Sequence, residues 1–248
     1  MAKLWDRLEE LKKLKWVELS HPLNDESPYW EGMPAGVREI GKTVVDFPDM
    51  NLKIQTFKFP GQFGTHIDYP GHFDEGGILS EKYTIADTVF PLVVIDVSEK
   101  VKENPDYELT IQDILEHESK YGKIPEHSFV AMRTDWYKRW PDGAALSGVD
   151  AQGNEHFPGW TMETLKFLIE ERNIAGNGHE TLDTDAPITS GKVGDLQCER
   201  YVLTQGRIQV EALRNLDQVP AVGAVIVIAA PRIEGATGLP VRAWAIAE

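Results

Sequence analysis

The stretch from Gly61 to Phe73 most constrains the fold, because it combines two histidines, an aspartate, three glycines and a proline. If this segment is extended, Gln62, His66 and Asp68 lie on one face, since side chains alternate along a strand. A histidine and an aspartate on one face are typical of metal sites. The proline and glycine that follow favour a turn that returns His72 to the same area. The pattern predicts either a polar site or a strand end whose polar residues only satisfy the backbone.

Composition limits the class of protein to which the chain can belong. Its 248 residues fit one large domain or two small ones, and 42% hydrophobic residues supply a substantial core. No internal repeat or long linker divides the sequence, so we predict a single domain over 1–248. The formal net charge of −15 argues against nucleic acid as a partner. A small-molecule substrate, including an anionic one held by local cations or a metal, remains compatible with this charge.

Cysteine content and hydropathy indicate a cytoplasmic protein that is not membrane-bound. The single cysteine, Cys198, allows no intramolecular disulfide and no thiolate cluster, and it is expected to be a small buried residue. The N-terminal segment mixes charged and apolar residues, unlike a signal peptide. The longest apolar runs, Phe90–Ile95 and Ala224–Ala230, are too short to cross a bilayer and predict buried strands.

Hydrophobic periodicity predicts a mixed α/β fold. Leucines spaced at four, three and three residues predict an amphipathic helix within 1–15, which could pack on the body of the protein or on a second subunit. Further helices are expected at 110–121 and 161–173. Strands are expected at 16–20, within 36–60, at 90–97, 129–136, from 174, at 221–230 and in the second half of 238–246. The fold class is therefore α/β, or α+β mixed, with a mixed sheet and helices outside it.

Residues Gly64 to Phe73, Gly-Thr-His-Ile-Asp-Tyr-Pro-Gly-His-Phe, resemble the motif His-x-Gly-Thr-His-x-Asp-x-Pro-x-His. This motif is typical of the cyclase family of metal-dependent hydrolases, which includes kynurenine formamidases and isatin hydrolases. Other segments also resemble that family: Leu19–Leu23, Arg133–Trp136, Phe157–Trp160, Gln209–Pro220 and Gly238–Ala243. The resemblance covers nearly the whole chain. It implies a swivelling β/β/α fold with a largely antiparallel sheet.

The resemblance also implies a metal site in which His66, Asp68 and Glu211 are ligands. Gln62 and Glu199 stand where the family has two further histidines, so they are candidate ligands that depart from its pattern. The resulting set is richer in oxygen, which shifts metal preference towards Mn²⁺ or Mg²⁺ and away from Zn²⁺. We expect a divalent metal ion, Mn²⁺ or Zn²⁺, with one per chain rather than two.

The function implied by the resemblance is hydrolysis of an amide, formamide or lactam C–N bond by metal-activated water. His72, the last histidine of the motif, would be the general acid/base. An alternative is a non-catalytic small-molecule binder, which the departures at Gln62 and Glu199 make plausible. A serine or cysteine hydrolase is disfavoured, because the sequence has no Gly-x-Ser-x-Gly segment.

Aromatic and acidic residues near these segments leave two points open. Aromatic side chains suit either a flat aromatic substrate or the core, and the candidates for substrate binding are Trp30, Phe63, Phe73 and Trp160. The segment Gly178–Asp185 carries His179, Glu180, Asp183 and Asp185, which could form an ion site or a hydrogen-bonded turn. The family resemblance and the N-terminal helix predict a homodimer or homotetramer.

Overall fold

The structure is a computed structural model, and it describes residues 3–30, 32–34 and 36–248. Its strands are β1 Lys15–Glu18, β2 Glu39–Val45, β3 Ile54–Lys58, β4 His66–Asp68, β5 Val89–Asp96, β6 Glu108–Leu109, β7 Phe129–Arg133, β8 Gly159–Trp160, β9 Gly176–His179, β10 Ile208–Glu211, β11 Ala224–Ala229, β12 Gly238–Pro240 and β13 Arg242–Ala247. Its helices are α1 Lys3–Leu11, α2 Phe47–Met50, α3 Ser98–Glu103, α4 Ile111–Tyr121, α5 Gly143–Ser147, α6 Met162–Lys166, α7 Pro187–Val193 and α8 Gln197–Thr204.

A nine-stranded mixed sheet with the order β1-β13-β11-β5-β7-β9-β10-β4-β12 forms the centre of the protein. The pairings are parallel from β5 through β7 and β9 to β10, and antiparallel towards both ends. β12 is the last strand at one end of this order and β13 is the second strand from the other end, yet only Val241 separates them in the chain. The sheet must therefore curl until its two ends approach each other. The predicted mixed, largely antiparallel α/β fold is confirmed.

The two faces of the curled sheet carry two separate apolar cores. The inner core includes Leu19, Ile67, Val94 and Val210. The outer core lies between the other face and the helices, and it includes Ile114 of α4, Leu165 of α6 and Val202 of α8. The helices therefore cover the outer face, which is the arrangement expected for an amphipathic helix packed on a sheet.

One part of the outer face is polar, because the strand register places polar side chains next to one another there. Val130 of β7 lies beside Asn177 of β9, Asn177 lies beside Gln209 of β10, and Gln209 lies beside Asp68 of β4. Register partners point to the same side of a sheet. The outer face therefore changes from apolar on β7 to polar on β10 and β4. This polar end carries the candidate functional residues.

Several predicted boundaries are wrong in detail. The first helix spans Lys3–Leu11, whereas its predicted range reached residue 15 and began within residues that the structure does not describe. The predicted helix over 161–173 is α6 followed by a π-helical turn over Phe167–Glu171. The predicted extended segment 62–68 is a strand only from His66, because Gly64 has a φ of +61°. A left-handed residue interrupts an extended chain.

Two elements project from the body of the protein. α1 contains no buried residue, although its leucines define an apolar stripe. The hairpin of β2 and β3 pairs only with itself, and every residue of β3 is exposed. None of the helices in the described ranges has the length and apolar character needed to cross a membrane.

Candidate functional site

Strand β4 and the turn after it position the histidines of the 61–73 stretch. His66 and Asp68 alternate on β4 so that both point to the outer face, and His66 Nε2 lies 3.3 Å from Asp68 Oδ2. Pro70 opens a 3₁₀ turn that ends at His72. This turn packs against α8, and it places His72 Nε2 3.8 Å from Glu199 Oε1. The predicted return of His72 to the same area is observed.

Strand β10 and helix α8 bring the two late glutamates to the same place. Glu211 pairs in register with His66, and its Oε2 lies 3.4 Å from His66 Nε2. Glu199 lies in the first turn of α8. Both oxygens of Asp185 accept the first backbone N–H groups of that helix, those of Cys198 at 2.8 Å and Glu199 at 2.9 Å. Asp185 thereby fixes the start of α8 and the position of Glu199.

Five side chains meet here, and we refer to them together as the candidate cation site: His66, Asp68, Asp183, Glu199 and Glu211. Three overlapping sets of possible ligand atoms each lie within 4.8 Å: the sets are His66, Asp68 and Glu211; Asp68, His72 and Glu199; and Asp183, Glu199 and Glu211. Asp68, Glu199 and Glu211 are almost completely buried. So many buried carboxylates need positive charge close by.

The pKa shifts at the site show this shortage of positive charge. Burial, together with the charge of Glu211, raises the pKa of both Glu199 and Asp183 well above the usual range of carboxyl groups. Burial opposes a charged His66, but the neighbouring carboxylates of Asp68 and Glu211 raise the pKa of its ring well above the ordinary value. A proton on His66 or a bound cation can supply the missing charge.

Two further observations show that these residues fit a divalent cation. His66 Nδ1 lies 2.8 Å from the Gly64 carbonyl, which can only accept, so Nδ1 carries the hydrogen and Nε2 is free to be a ligand. A Cβ at Gly238 would lie 2.1 Å from Gln62 Nε2 and 2.8 Å from Asp68 Oδ1, so only glycine leaves room for these side chains. One imidazole with several carboxylates suits Mn²⁺, Mg²⁺ or Zn²⁺.

Two glutamine amides border the candidate cation site. Gln62 Nε2 donates a hydrogen bond to Asp68 Oδ1 at 3.0 Å. Gln62 therefore contacts Asp68, a candidate ligand of the cation. Gln209 Nε2 contacts Glu199 Oε1 at 2.9 Å, Glu211 Oε1 at 3.1 Å and Asp68 Oδ2 at 3.4 Å. The sequence interpretation missed Gln209, although its spacing of two residues from Glu211 on one strand would have placed both on the same face.

The acidic run is the segment Gly178–Asp185, for which the sequence left open an ion site or a hydrogen-bonded turn. Its acidic residues serve both purposes. Asp183 joins the candidate cation site. Asp185 binds the start of α8, while Glu180 Oε2 accepts hydrogen bonds from the Thr134 backbone N–H and hydroxyl at 2.9 and 3.0 Å. Burial raises the pKa of Glu180 to about 7. Asp185 and Glu180 therefore accept hydrogen bonds from backbone N–H groups.

The predicted substrate-binding aromatics lie in different environments. Phe63 and Trp160 are completely buried. Phe73 is half-buried and meets the His72 ring edge-on at 4.9 Å, with Arg200 stacked over it at 4.7 Å. Trp30 is exposed on its loop. Of the four predicted aromatics, Phe73 is therefore the one that lies beside His72, the predicted acid/base.

A large part of the chain matches the model of a known family. The family model Cyclase, described as "Putative cyclase", matches residues 17–186. The chain belongs to this cyclase family. The match includes the whole 61–73 stretch and the acidic run, while Glu199 and Glu211 follow it.

Curated and solved relatives of the cyclase family are hydrolases. The isatin hydrolase of Roseibium aggregatum is 34% identical over 74% of this chain and 70% of its own length. A kynurenine formamidase of Bacillus cytotoxicus is 32% identical, over 47% of this chain and only 58% of its own length. The solved isatin hydrolase A of Labrenzia aggregata, bound to benzyl benzoate, is 34% identical with a TM-score of 0.88, and the alignment covers 99% of both chains. These relatives are named as hydrolases, and the solved isatin hydrolase A has the same fold as this chain.

Proposed function

We propose that this protein is a metal-dependent hydrolase that cleaves an amide, formamide or lactam C–N bond of a small aromatic substrate. The observation that carries the proposal is the position of His72. It is a partly exposed imidazole at the edge of a buried group of carboxylates, 3.8 Å from Glu199. A group that exchanges protons must meet the substrate, whereas a structural ligand need not.

The candidate cation site provides the binding part of this activity. His66, Asp68 and Glu211 would hold one divalent cation, with Glu199 on its His72 side. A cation bound in such a site lowers the pKa of a coordinated water towards 7 and polarises a carbonyl group. The oxygen-rich ligand set favours Mn²⁺ over Zn²⁺.

His72 provides the proton transfers. In its neutral form the ring can accept a proton at Nε2 from an attacking water molecule. The same ring can then donate that proton to the leaving nitrogen, which must be protonated as the C–N bond breaks. Glu199 Oε1 lies 3.8 Å from the same Nε2, so an ionised Glu199 would stabilise the protonated ring by its charge.

The substrate class follows from the relatives and from the surroundings of His72. Isatin hydrolases and kynurenine formamidases are named for aromatic compounds with an amide-type bond. Phe73 presents an aromatic surface next to His72, and Arg200, which pairs with Asp195, covers the Phe73 ring. An aromatic substrate would find an apolar contact here.

Metal analysis combined with a substrate screen tests the proposal. Protein purified without chelator should contain one divalent ion per chain. After stripping and reloading with Mn²⁺ or Zn²⁺, it should hydrolyse isatin or N-formyl aromatic amines, followed by absorbance. Asp68→Asn should lose both the ion and the activity. Two tightly held zinc ions would contradict the single-cation site. Neither ion nor turnover would favour the binder alternative.

A further inference from the structure

Three fully buried side chains connect the outer core to the candidate cation site. Trp160 Nε1 donates to His179 Nδ1 at 3.3 Å, and His179 Nε2 lies 3.4 Å from Glu211 Oε1. Trp160 and His179 have no exposed surface, and Glu211 is almost as deeply buried. None of the roles proposed above uses His179 or Trp160.

The contact with Trp160 determines where His179 carries its hydrogen. An indole N–H is only a donor, so the His179 Nδ1 that faces it must be an acceptor. In a neutral ring the hydrogen then lies on Nε2, which points towards Glu211. His66 has the opposite arrangement, because its Nδ1 donates to the Gly64 carbonyl. The two histidines nearest Glu211 therefore have different chemistry: His66 offers a lone pair, and His179 offers a hydrogen.

We propose that His179 is a positioning residue that orients Glu211 for the cation, and that Trp160 fixes the tautomer needed for this. The inference rests on the proposed function. Glu211 Oε1 faces His179 and Gln209, while Oε2 faces His66. Donors on Oε1 hold the carboxylate so that Oε2 is the oxygen presented to the cation. His179 Nε2 is buried, lies 3.4 Å from Glu211 Oε1 and has no other hydrogen-bond partner among the described residues, so Glu211 is the acceptor within its reach.

The inference also explains why His179 does not replace either of the two histidines that the family has at Gln62 and Glu199. A neutral imidazole with its hydrogen on Nε2 has no lone pair to offer on the side that faces Glu211. Its lone pair lies on Nδ1 and accepts the hydrogen bond from the Trp160 indole N–H. A partner of this kind typically contributes tenfold to a hundredfold in metal affinity.

The tautomer can be measured without any enzymatic activity. In protein labelled with ¹⁵N-histidine, two-dimensional spectra distinguish protonated from unprotonated ring nitrogens, and His179→Gln identifies the His179 signals. We expect an unprotonated Nδ1 and a protonated Nε2 for His179, both with and without Zn²⁺. Zinc addition should shift the Nε2 signal of His66. A His179 Nε2 that is unprotonated, or that shifts as a zinc-bound nitrogen, would overturn the inference.

Metal binding by variants tests the role of the tautomer. His179→Leu should weaken Mn²⁺ binding by about tenfold to a hundredfold in calorimetry, the range typical of partners of metal ligands. His179→Gln keeps an N–H donor and should retain most of the affinity. Trp160→Phe keeps the packing but removes the donor, and it should mix the tautomers and weaken binding less than His179→Leu. Equal affinity in His179→Leu and the wild type would contradict the inference.

These outcomes separate the inference from the proposed function. A protein that binds no Mn²⁺ or Zn²⁺ contradicts the proposed function, while its spectra still report the His179 tautomer. A protein that binds the ion and turns over substrate, but whose His179 carries its hydrogen on Nδ1, supports the proposed function and contradicts the inference.

Discussion

His72 is the residue on which the proposed chemistry depends most directly. His72→Ala should lower kcat by about a hundredfold to ten-thousandfold, the usual contribution of a positioned acid/base. The ion content should remain, because His66, Asp68 and Glu211 stay in place. Steady-state kinetics and metal analysis of the same preparation measure both effects.

His127→Asn is a matched control for that experiment. His127 is an exposed histidine with a φ of +58°, which asparagine tolerates well, and it precedes β7 rather than β4. The replacement of His127 should leave both kcat and the ion content unchanged. A His72→Ala protein with a normal rate would reject the acid/base role, and one without the ion would instead make His72 a ligand.

Gly238 tests the space around the candidate cation site. Gly238→Ala brings a methyl group against Gln62 and Asp68, so it should weaken Mn²⁺ binding sharply in calorimetry. Gly191→Ala is the control, because a Cβ there meets nothing within 4 Å and alanine is favoured in a helix by about 1 kcal/mol. Unchanged affinity in Gly238→Ala would show that the ion does not depend on the Gln62–Asp68 contact.

The sequence predicted the part of the site that a single short segment encodes. His66, Asp68 and His72 lie within seven residues, and their alternation and turn suffice to bring them together. The contact between Glu211 and His179 depends on which strands are neighbours, and a strand order cannot be read from periodicity. The sequence left Trp160 open between a substrate-binding role and the core, and the structure buries it beside His179.

At the scale of elements, helix α4 depends on one buried carboxylate. Asp113 accepts from the Thr110 backbone N–H and hydroxyl, both at 2.7 Å, and from the Tyr107 hydroxyl at 2.9 Å, and it pairs with Lys100. This capping box closes the first turn of the helix. The sequence signal was sufficient here, because the predicted helix over 110–121 starts at the residue that caps the observed one.

Asp113→Ala should destabilise the protein by about 1–3 kcal/mol in urea unfolding, since it leaves several half-buried donors without their acceptor. Burial alone would raise the pKa of Asp113, but the hydrogen bonds from Lys100 and Thr110 hold it below the ordinary value. The ionised carboxylate therefore stabilises the fold above the pKa of the unfolded chain. That contribution, and with it the difference between variant and wild type, should decrease as the pH falls through the native pKa of Asp113.

Gln112→Ala on the same helix controls for this effect. Its side chain is exposed and bonds only to Glu116, so it should cost a few tenths of a kcal/mol and show no such dependence on pH. If Asp113→Ala is as stable as the wild type at neutral pH, the capping box does not stabilise the protein.

Strands were predicted more reliably than helix ends because apolar runs leave few alternatives. β5, β7 and β11 are continuous apolar runs, and the structure places all three inside the sheet. In the region 161–173 the regular α-helix ends at Lys166, and a π-helical turn over Phe167–Glu171 follows it. Periodicity detects an apolar face, but it does not register the extra residue of such a turn.

For the whole molecule, the two projecting elements expose several large apolar side chains. In α1, Leu4, Trp5, Leu8 and Leu11 are exposed, and Trp5 retains 71% of its surface. The β2–β3 hairpin and its loop expose Val44, Phe47, Met50, Ile54 and Phe57. Contiguous apolar surface of this kind usually marks an interface. The hairpin also leads directly into Gln62, so its base borders the candidate cation site.

We propose that a second copy of the chain covers these elements, and that the protein is a homodimer or homotetramer. Sedimentation at several concentrations should give a mass of at least two chains. Trp5→Glu combined with Phe57→Glu should lower that mass, because a charge buried without a partner opposes association. Ile85→Glu is the control, since Ile85 is 88% exposed on a separate turn and its change should leave the mass unaltered. A wild-type protein that sediments as a single chain would contradict the proposal. If only the Trp5 and Phe57 variant dissociates and loses turnover, the second copy also helps to form the substrate-binding region beside Gln62.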